Sequence, residues 1–572
     1  MTRHTLADSG IAPVYRDDPR LAPLIGPGGA FEVENVELHG IPLRDFARGP
    51  RTVNDIFLMG AAHQTLIHTV YLDERQTFAQ TRLQARAVAA QLRSVHGVRP
   101  GDRVGIAMRN LPEYVTSFWG ALLVGAIVTP LNAWWTAPEL DYALRDAAVS
   151  VLFADEERLS RVRAAGRPDG PTLVGVRSDL GDVPFAELTA AEPIDDDAIA
   201  RLDRDDPVTL LFTSGTTGRP KGAVSTNRAM TANIWNMAFA NLREGIVAGR
   251  VPRENRQPAT LSTGPMFHIG GVTTIISSPL GGAKIVMMRR WDVEEALRLA
   301  AAEQVTALGG VPAVARQLLE HPRISSLAEH VRGFSIGGAA VPPDVVSRAV
   351  EVLGPDVQVL NGYGLTETTS AVVANVGVEF EAHPDCVGRP NLTADVQVLG
   401  ADGEPLPTGR TGEICFRSPQ VARGYWNDEA ATAASFQDGW FRSGDIGFLD
   451  DEGFLHVVDR LKDVVIRGGE NVYCTEVEAV LHEHPGVVEV AVVGLNEPMM
   501  GERVCAVVVP RPGATPGLED LRAFAADRLA AFKCPEALFV VAELPKTATG
   551  KVAKTDVRAL ITDDADRIVR GW

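Results

Sequence analysis

Val208-Thr209-Leu210-Leu211-Phe212 runs without a break into Thr213-Ser214-Gly215-Thr216-Thr217-Gly218-Arg219-Pro220-Lys221-Gly222. The first five residues are apolar or β-branched and predict a buried strand. The ten that follow predict a phosphate cradle. Their glycines let the backbone turn its N–H groups toward a ligand, their hydroxyls add donors, and Arg219 and Lys221 add positive charge. The other common phosphate loop has two glycines bracketing four residues, with Lys and Ser or Thr directly after. Here Lys221 lies between Pro220 and Gly222, so that template does not apply. The plain alternative is a polar Gly/Thr surface loop. The cradle reading implies a nucleotide triphosphate as ligand.

Outward from this loop the chain alternates between helical and strand periodicity. Residues 77–93 place Ala, Leu and charged side chains at helical spacing, Val98-Arg99-Pro100-Gly101-Asp102 interrupts them, and residues 103–108 form an apolar strand. A helix over 113–124, ended by Gly125, leads to a strand over 126–129, and similar strands return at 150–154, 305–308 and 357–360. This is the βαβ pattern of an α/β sheet. Past about residue 385, turns such as Gly400-Ala401-Asp402-Gly403 and Asp450-Asp451-Glu452-Gly453 predict a β-rich module. Strands at 488–494 and 503–509 with a helix at 518–529 predict a small α+β domain at the end. The fold expected is therefore α/β: a large N-terminal domain of α/β-sheet subdomains with a β-rich module over 36–461, and a small mobile α+β domain over 462–572. Residues 1–35, rich in Pro, Gly and Asp, are expected to be a loosely structured extension.

Bulk composition narrows the partners. At 572 residues the chain exceeds the roughly 250 to 300 at which one core stops growing, so it can hold a large cleft. The net charge of −18 argues against a nucleic-acid partner, and anionic ligands must be met by local donors. The apolar stretch 118–131 contains Gly120, Gly125 and Pro130 and is too short for a membrane span. No apolar segment follows the first residues, so a cytoplasmic location is expected. Cys386, Cys415, Cys474, Cys505 and Cys534 are far apart and show neither zinc spacing nor a disulfide framework.

Four further strings carry chemistry-bearing residues. Asn361-Gly362-Tyr363-Gly364-Leu365-Thr366-Glu367 follows an apolar strand; taken alone, Thr366 and Glu367 also suit a helix start. Ser335-Ile336-Gly337-Gly338-Ala339-Ala340 is rich in small residues and could equally be a tight turn. Trp440-Phe441-Arg442-Ser443-Gly444-Asp445 is followed by Asp459-Arg460-Leu461-Lys462-Asp463 and Gly468-Gly469-Glu470-Asn471. Near the end stands Leu544-Pro545-Lys546-Thr547-Ala548-Thr549-Gly550-Lys551-Val552.

Together with the phosphate loop, these strings resemble the signatures of the adenylate-forming superfamily, in its acyl-CoA synthetase and fatty-acid–CoA ligase branch. The resemblance implies an ATP- and Mg²⁺-dependent enzyme that joins a carboxylic acid to AMP, releases pyrophosphate and passes the acyl group to CoA. By it, Thr213, Ser214, Gly215, Thr216, Thr217, Gly218 and Lys221 bind phosphates, and Gly338, Ala339, Asn361, Gly362, Tyr363 and Gly364 enclose adenine. Thr366 contacts the α-phosphate and Glu367 holds Mg²⁺, a cation suited to carboxylate and phosphate oxygens. Asp445 accepts the ribose hydroxyls and Arg460 adds a ribose or phosphate contact. Lys462 is the hinge, with a solvated linker charge as the alternative; Gly469 lines the CoA channel; and Lys551 is the catalytic lysine, placing a cation between two anions.

Phe267, His268, Gly310 and Val311 are implied in the acyl pocket, with Trp235 as a further wall, although a core histidine is the other reading of His268. The relatives often have Gly in place of Asp459, Pro in place of Cys474 and Pro in place of Ala340. The expected acid is hydrophobic, a medium- to long-chain fatty acid first and an aryl acid second. A carrier protein or an amine as acceptor is the alternative, and a homodimer is allowed. A luciferase-like oxygenase would share the strings, but Arg570-Gly571-Trp572 is not a peroxisomal tripeptide, which disfavours it.

Overall fold

Strand Pro207–Thr213 pairs antiparallel with Lys221–Thr226, opposing Thr213 to Lys221, so the phosphate loop is the tip of a hairpin. The computed structural model describes residues 13–166, 170–213, 220–250, 256–339, 341–468, 470–547, 550–564 and 567–571. Ser214, Gly215, Thr216, Thr217, Gly218 and Gly469 lie outside the described residues. The chain divides into two compact units, the first made of residues 1–396 and 416–441, the second of 397–415 and 442–572.

In the first unit the hairpin belongs to an eight-stranded sheet. Its parallel centre runs through Pro207–Thr213, Ile127–Pro130, Arg103–Ala107, Val149–Asp155 and Thr172–Val176. A nine-stranded sheet carries Gly333–Gly337, Gln358–Leu365 and Ser370–Val376 side by side, the first two parallel and the last antiparallel. Helices Phe78–Ser94 and Pro112–Leu123 pack against both sheets in one apolar cluster that includes Phe118, Trp119, Val128 and Met287, all buried. Parallel strands covered on both faces need this near-continuous apolar character, and the expected α/β architecture is present. Thr77 starts the first helix with a reciprocal cap, its side chain accepting from Gln80 while Gln80 accepts from Thr77.

The second unit is built from antiparallel strands and helices. Trp440–Leu449 and Leu455–Arg460 form a hairpin that sets Asp445 opposite Arg460. Beyond it, Val487–Glu497 and Gly501–Pro510 form a long hairpin, joined in parallel by Ala537–Val540 and covered by helices Cys474–His482, Leu518–Ala526 and Lys554–Asp563. By internal contacts, residues 442–461 group with the C-terminal segment, so Lys462 lies inside this unit and not at its edge. Two expectations need correction. Residues 13–35 are not loose: Tyr15, Leu21, Ile25 and Phe31 are buried in a cluster with Phe46, Phe239 and Leu392, because single apolar anchors seat an otherwise polar segment. Trp235 joins that cluster, stacking near Phe31 and donating from Nε1 to the Ala30 carbonyl, which removes it from the acyl pocket.

Among the described residues no helix is long and apolar enough to cross a membrane. All five cysteines are buried and outside any disulfide, and burial pushes the Cys415, Cys474 and Cys505 thiols up to about 12, so these three stay protonated at neutral pH.

Candidate active site

Glu367 occupies a short 3-10 turn, Thr366–Thr368, at the end of strand Gln358–Leu365. Gly364 approaches the return strand so closely that a Cβ there would lie 2.0 Å from the Ser370 carbonyl oxygen, and only glycine fits. The turn is fixed further by Thr368, whose hydroxyl accepts from the Leu365 N–H at 2.8 Å and donates to the Ser370 carbonyl at 2.9 Å. Thr369 and Ser370 both have positive φ, 49° and 83°, a costly conformation for non-glycine residues that persists where surrounding contacts enforce it. One such contact is the 3.0 Å hydrogen bond between the Thr369 and Ser225 hydroxyls.

The Glu367 carboxylate is buried, and its Oε1 accepts from the Tyr425 hydroxyl at 2.9 Å and lies 3.5 Å from the Thr213 hydroxyl. Burial, and then the adjacent carboxylate, raise the Tyr425 phenol above its ordinary range, so it stays a donor. The Lys221 ammonium stands 5.2 Å from the Tyr425 ring centroid. Thr213, Lys221, Glu367 and Tyr425 therefore meet at the mouth of the phosphate hairpin. Sequence reading missed Tyr425: it arrives through edge strand Gly424–Tyr425 pairing with Val224 and Ala223, and nothing local marks it.

For Mg²⁺ the donor set is sparse. Among the described residues no group of three His, Cys, Asp or Glu side chains is placed to hold a metal, and the Glu367 Oε2 takes no hydrogen bond. One open carboxylate oxygen fits a cation that takes most of its ligands from phosphates and water.

Other predicted residues of the first unit fall nearby or on flanking strands. Asn361 is buried in strand Gln358–Leu365, opposite Asn375, and Tyr363 lies 5.9 Å from the Phe416 ring. Gly338 and Ala339 are exposed just past the neighbouring strand, with Gly338 at φ 84°, a surface open to a flat ring. His268 caps helix Ile269–Gly281, its ring Nδ1 facing the Gly270 N–H at 3.5 Å, and is half-buried. Asn110 pins the segment before it, donating to the Gly264 carbonyl and accepting from the Met266 N–H, at 2.9 and 3.0 Å. Phe267 packs edge-on against Trp134 at 5.3 Å, and the Arg109 guanidinium covers the Trp134 ring. Gly310 and Val311 lead into helix Pro312–Glu320 from the strand beside Gly333–Gly337.

In the second unit, Asp445 is buried and its Oδ1 lies 3.2 Å from Arg460 Nε. Its N–H donates to the Ser443 hydroxyl, which donates to the Ile414 carbonyl. Lys551 sits on a loop closed by the bridge between Lys546 and Val552 and by hydrogen bonds with Thr547. Desolvation, with Arg460 adding to it and Asp445 opposing, lowers its ammonium pKa. Lys462 is exposed in the turn Leu461–Asp463.

The AMP-binding enzyme model matches residues 60–426, and the AMP-binding enzyme C-terminal domain model matches 476–551. The chain belongs to the AMP-binding enzyme family. A feruloyl-CoA synthase from Amycolatopsis is 36% identical, over 84% of this chain and 93% of that protein. A long-chain-fatty-acid–CoA ligase from Mycobacterium tuberculosis is 33% identical, over 85% and 93%. The solved o-succinylbenzoate CoA synthetase of Bacillus subtilis, in complex with its acyl-adenylate intermediate, superposes with a TM-score of 0.76 at 29% identity, over 88% of this chain and 98% of that one. This AMP-binding enzyme is an AMP-forming acid–thiol ligase, an acyl-CoA synthetase that uses ATP, Mg²⁺ and CoA.

Proposed function

We propose that the enzyme activates a hydrophobic carboxylic acid, with Lys551 serving the first of two steps. The observation that carries this is the half-buried Lys551 on a loop closed by the Lys546 and Val552 bridge, in the same unit as the buried Asp445 paired with Arg460. In the first step the acid's carboxylate attacks the α-phosphorus of ATP, the bond to pyrophosphate breaks, and the acyl adenylate forms. Two anions must meet, and a cation between them lowers the barrier. Glu367 would hold Mg²⁺, which when bound would supply positive charge to the phosphates. Lys221 and the hydroxyls of 213–217 steady the phosphates, while Asp445 accepts both ribose hydroxyls. In the second step the CoA thiol loses its proton and attacks the acyl carbon, and AMP leaves. Lysine and thiol cannot approach one carbon from the same space, so the segment after Lys462 turns to withdraw Lys551.

Two substrate readings have separate support. A medium- to long-chain fatty acid suits the apolar Met266 and Val311 surroundings and the fatty-acid ligase relative. An aryl acid is favoured by the Phe267 and Trp134 ring pair and by the feruloyl-CoA synthase relative. Incubating the enzyme with ATP, Mg²⁺, CoA and acids of graded length, from acetate to palmitate, with ferulate and benzoate alongside, decides between them. AMP and thioester should appear in equal amounts with hydrophobic acids and not with acetate. ADP as product, or a preference for acetate, would overturn the reading.

A further inference from the structure

Close to Lys462 the second unit contains a buried link whose side chains the reaction itself does not use. Asp459 is the penultimate residue of strand Leu455–Arg460 and is only 6% exposed. Its Oδ1 accepts from the Arg460 N–H at 2.7 Å and its Oδ2 accepts from the Thr475 N–H at 3.3 Å. Thr475 lies in the first turn of helix Cys474–His482, where backbone donors have no partner within the helix and the macrodipole favours a carboxylate. The Asp459 side chain therefore ties the residue beside Arg460, ahead of position 462, to a helix that begins after it.

One turn further along that helix Glu478 is placed to continue the link. Its Oε1 accepts from Lys554 Nζ at 2.9 Å and from the Val492 N–H at 2.7 Å. Lys554 opens helix Lys554–Asp563 and follows Lys551 by three residues in the chain. The path from Asp459 through the helix reaches Lys554, three residues after Lys551, so the strand that carries Arg460 and the end of the Lys551 loop are tied to the same helix. A buried carboxylate persists only when its oxygens are satisfied, and here backbone donors satisfy Asp459.

We propose that Asp459 is a positioning residue, a carboxylate clamp across position 462 that sets Lys551 against Asp445 and Arg460 for the first half-reaction. The clamp touches no substrate. It opens when the segment after Lys462 turns, so its loss affects the adenylation geometry and not the thiol step. This rests on the reading of Lys551 as the first-step lysine.

The test separates the two half-reactions with ferulate and dodecanoate as probes, using whichever acid the wild-type enzyme adenylates faster. Acid-dependent exchange of pyrophosphate into ATP without CoA reports the first step, and thioester formation from supplied acyl adenylate and CoA reports the second. Asp459→Ala should lower exchange roughly ten- to a hundredfold, the scale of a small misplacement of reacting groups. The thiol step should hold within about twofold, and Asp459→Asn, whose one oxygen can accept from the Thr475 N–H but whose NH2 then meets the Arg460 N–H, should recover part of the exchange lost in Asp459→Ala. Thr475→Pro removes the donor at a first-turn position that tolerates proline, and should repeat the Asp459→Ala pattern even if that variant folds poorly. Equal loss of both steps, unchanged exchange in Asp459→Ala and Thr475→Pro, or failure of Asn to rescue would overturn the clamp. Lys551→Ala serves as the control: if it exchanges normally, the underlying reading of Lys551 fails, whatever Asp459 does.

Discussion

Glu367 and Lys551, the two charged side chains proposed to serve the chemistry, are held in opposite ways. Glu367 sits on a turn enforced by a glycine contact, a threonine that bonds on both sides, two residues at positive φ and a tyrosine donor. Lys551 rides on a loop closed by one bridge and Thr547, its electrostatics set by burial, Arg460 and Asp445. The carboxylate proposed to hold Mg²⁺ is built into a sheet end. The lysine proposed for the first step alone stands on a loop, where it can leave at modest cost.

This contrast can be broken by substitution. Lys551→Ala should give the largest effect, a loss of about 10² to 10³ in exchange of pyrophosphate into ATP, with thioester formation from supplied acyl adenylate retained. Equal loss in both assays would erase the distinction between the two groups. Glu367→Gln keeps the size and an acceptor for Tyr425 but removes the charge; exchange should fall about a hundredfold and require more Mg²⁺. A variant with unchanged Mg²⁺ dependence would move the cation elsewhere.

Tyr425→Phe should cost about tenfold in exchange, the value of one hydrogen bond to a buried charge. The smallest effect is a pH shift. In the proposed first step the protonated form of Lys551 is the active one, and desolvation, then Arg460, lowers its pKa below the ordinary lysine value. Exchange per unit of free enzyme should therefore decline on the alkaline side at a lower pH than an ordinary lysine would give. Lys551→Arg, charged throughout this range, should remove that limb even where its rate is lower. An unshifted limb would mean that Lys551 is not the group titrating.

What the sequence made legible follows from how local each constraint is. The strand before the phosphate loop, the helices over 78–94 and 112–123 and the string around Glu367 are set by spacing within a few residues, and each lies where expected. Tyr425 and the seating of residues 13–35 depend on partners far away in the chain, Ala223 for one and Phe239 with Leu392 for the other. Short apolar anchors in a Pro- and Gly-rich segment look loose until the cluster that receives them is known. The grouping of 442–461 with the last hundred residues was hidden for the same reason, because hairpin register, not composition, decides it.

The central claim is that an acyl adenylate forms before any thiol is involved, and acid-dependent pyrophosphate exchange by the wild-type enzyme in the complete absence of CoA measures this directly. Exchange that proceeds without CoA, with AMP as the only nucleotide product once CoA is added, is the result predicted. An absolute requirement for CoA before any exchange occurs, or release of ADP, would contradict it.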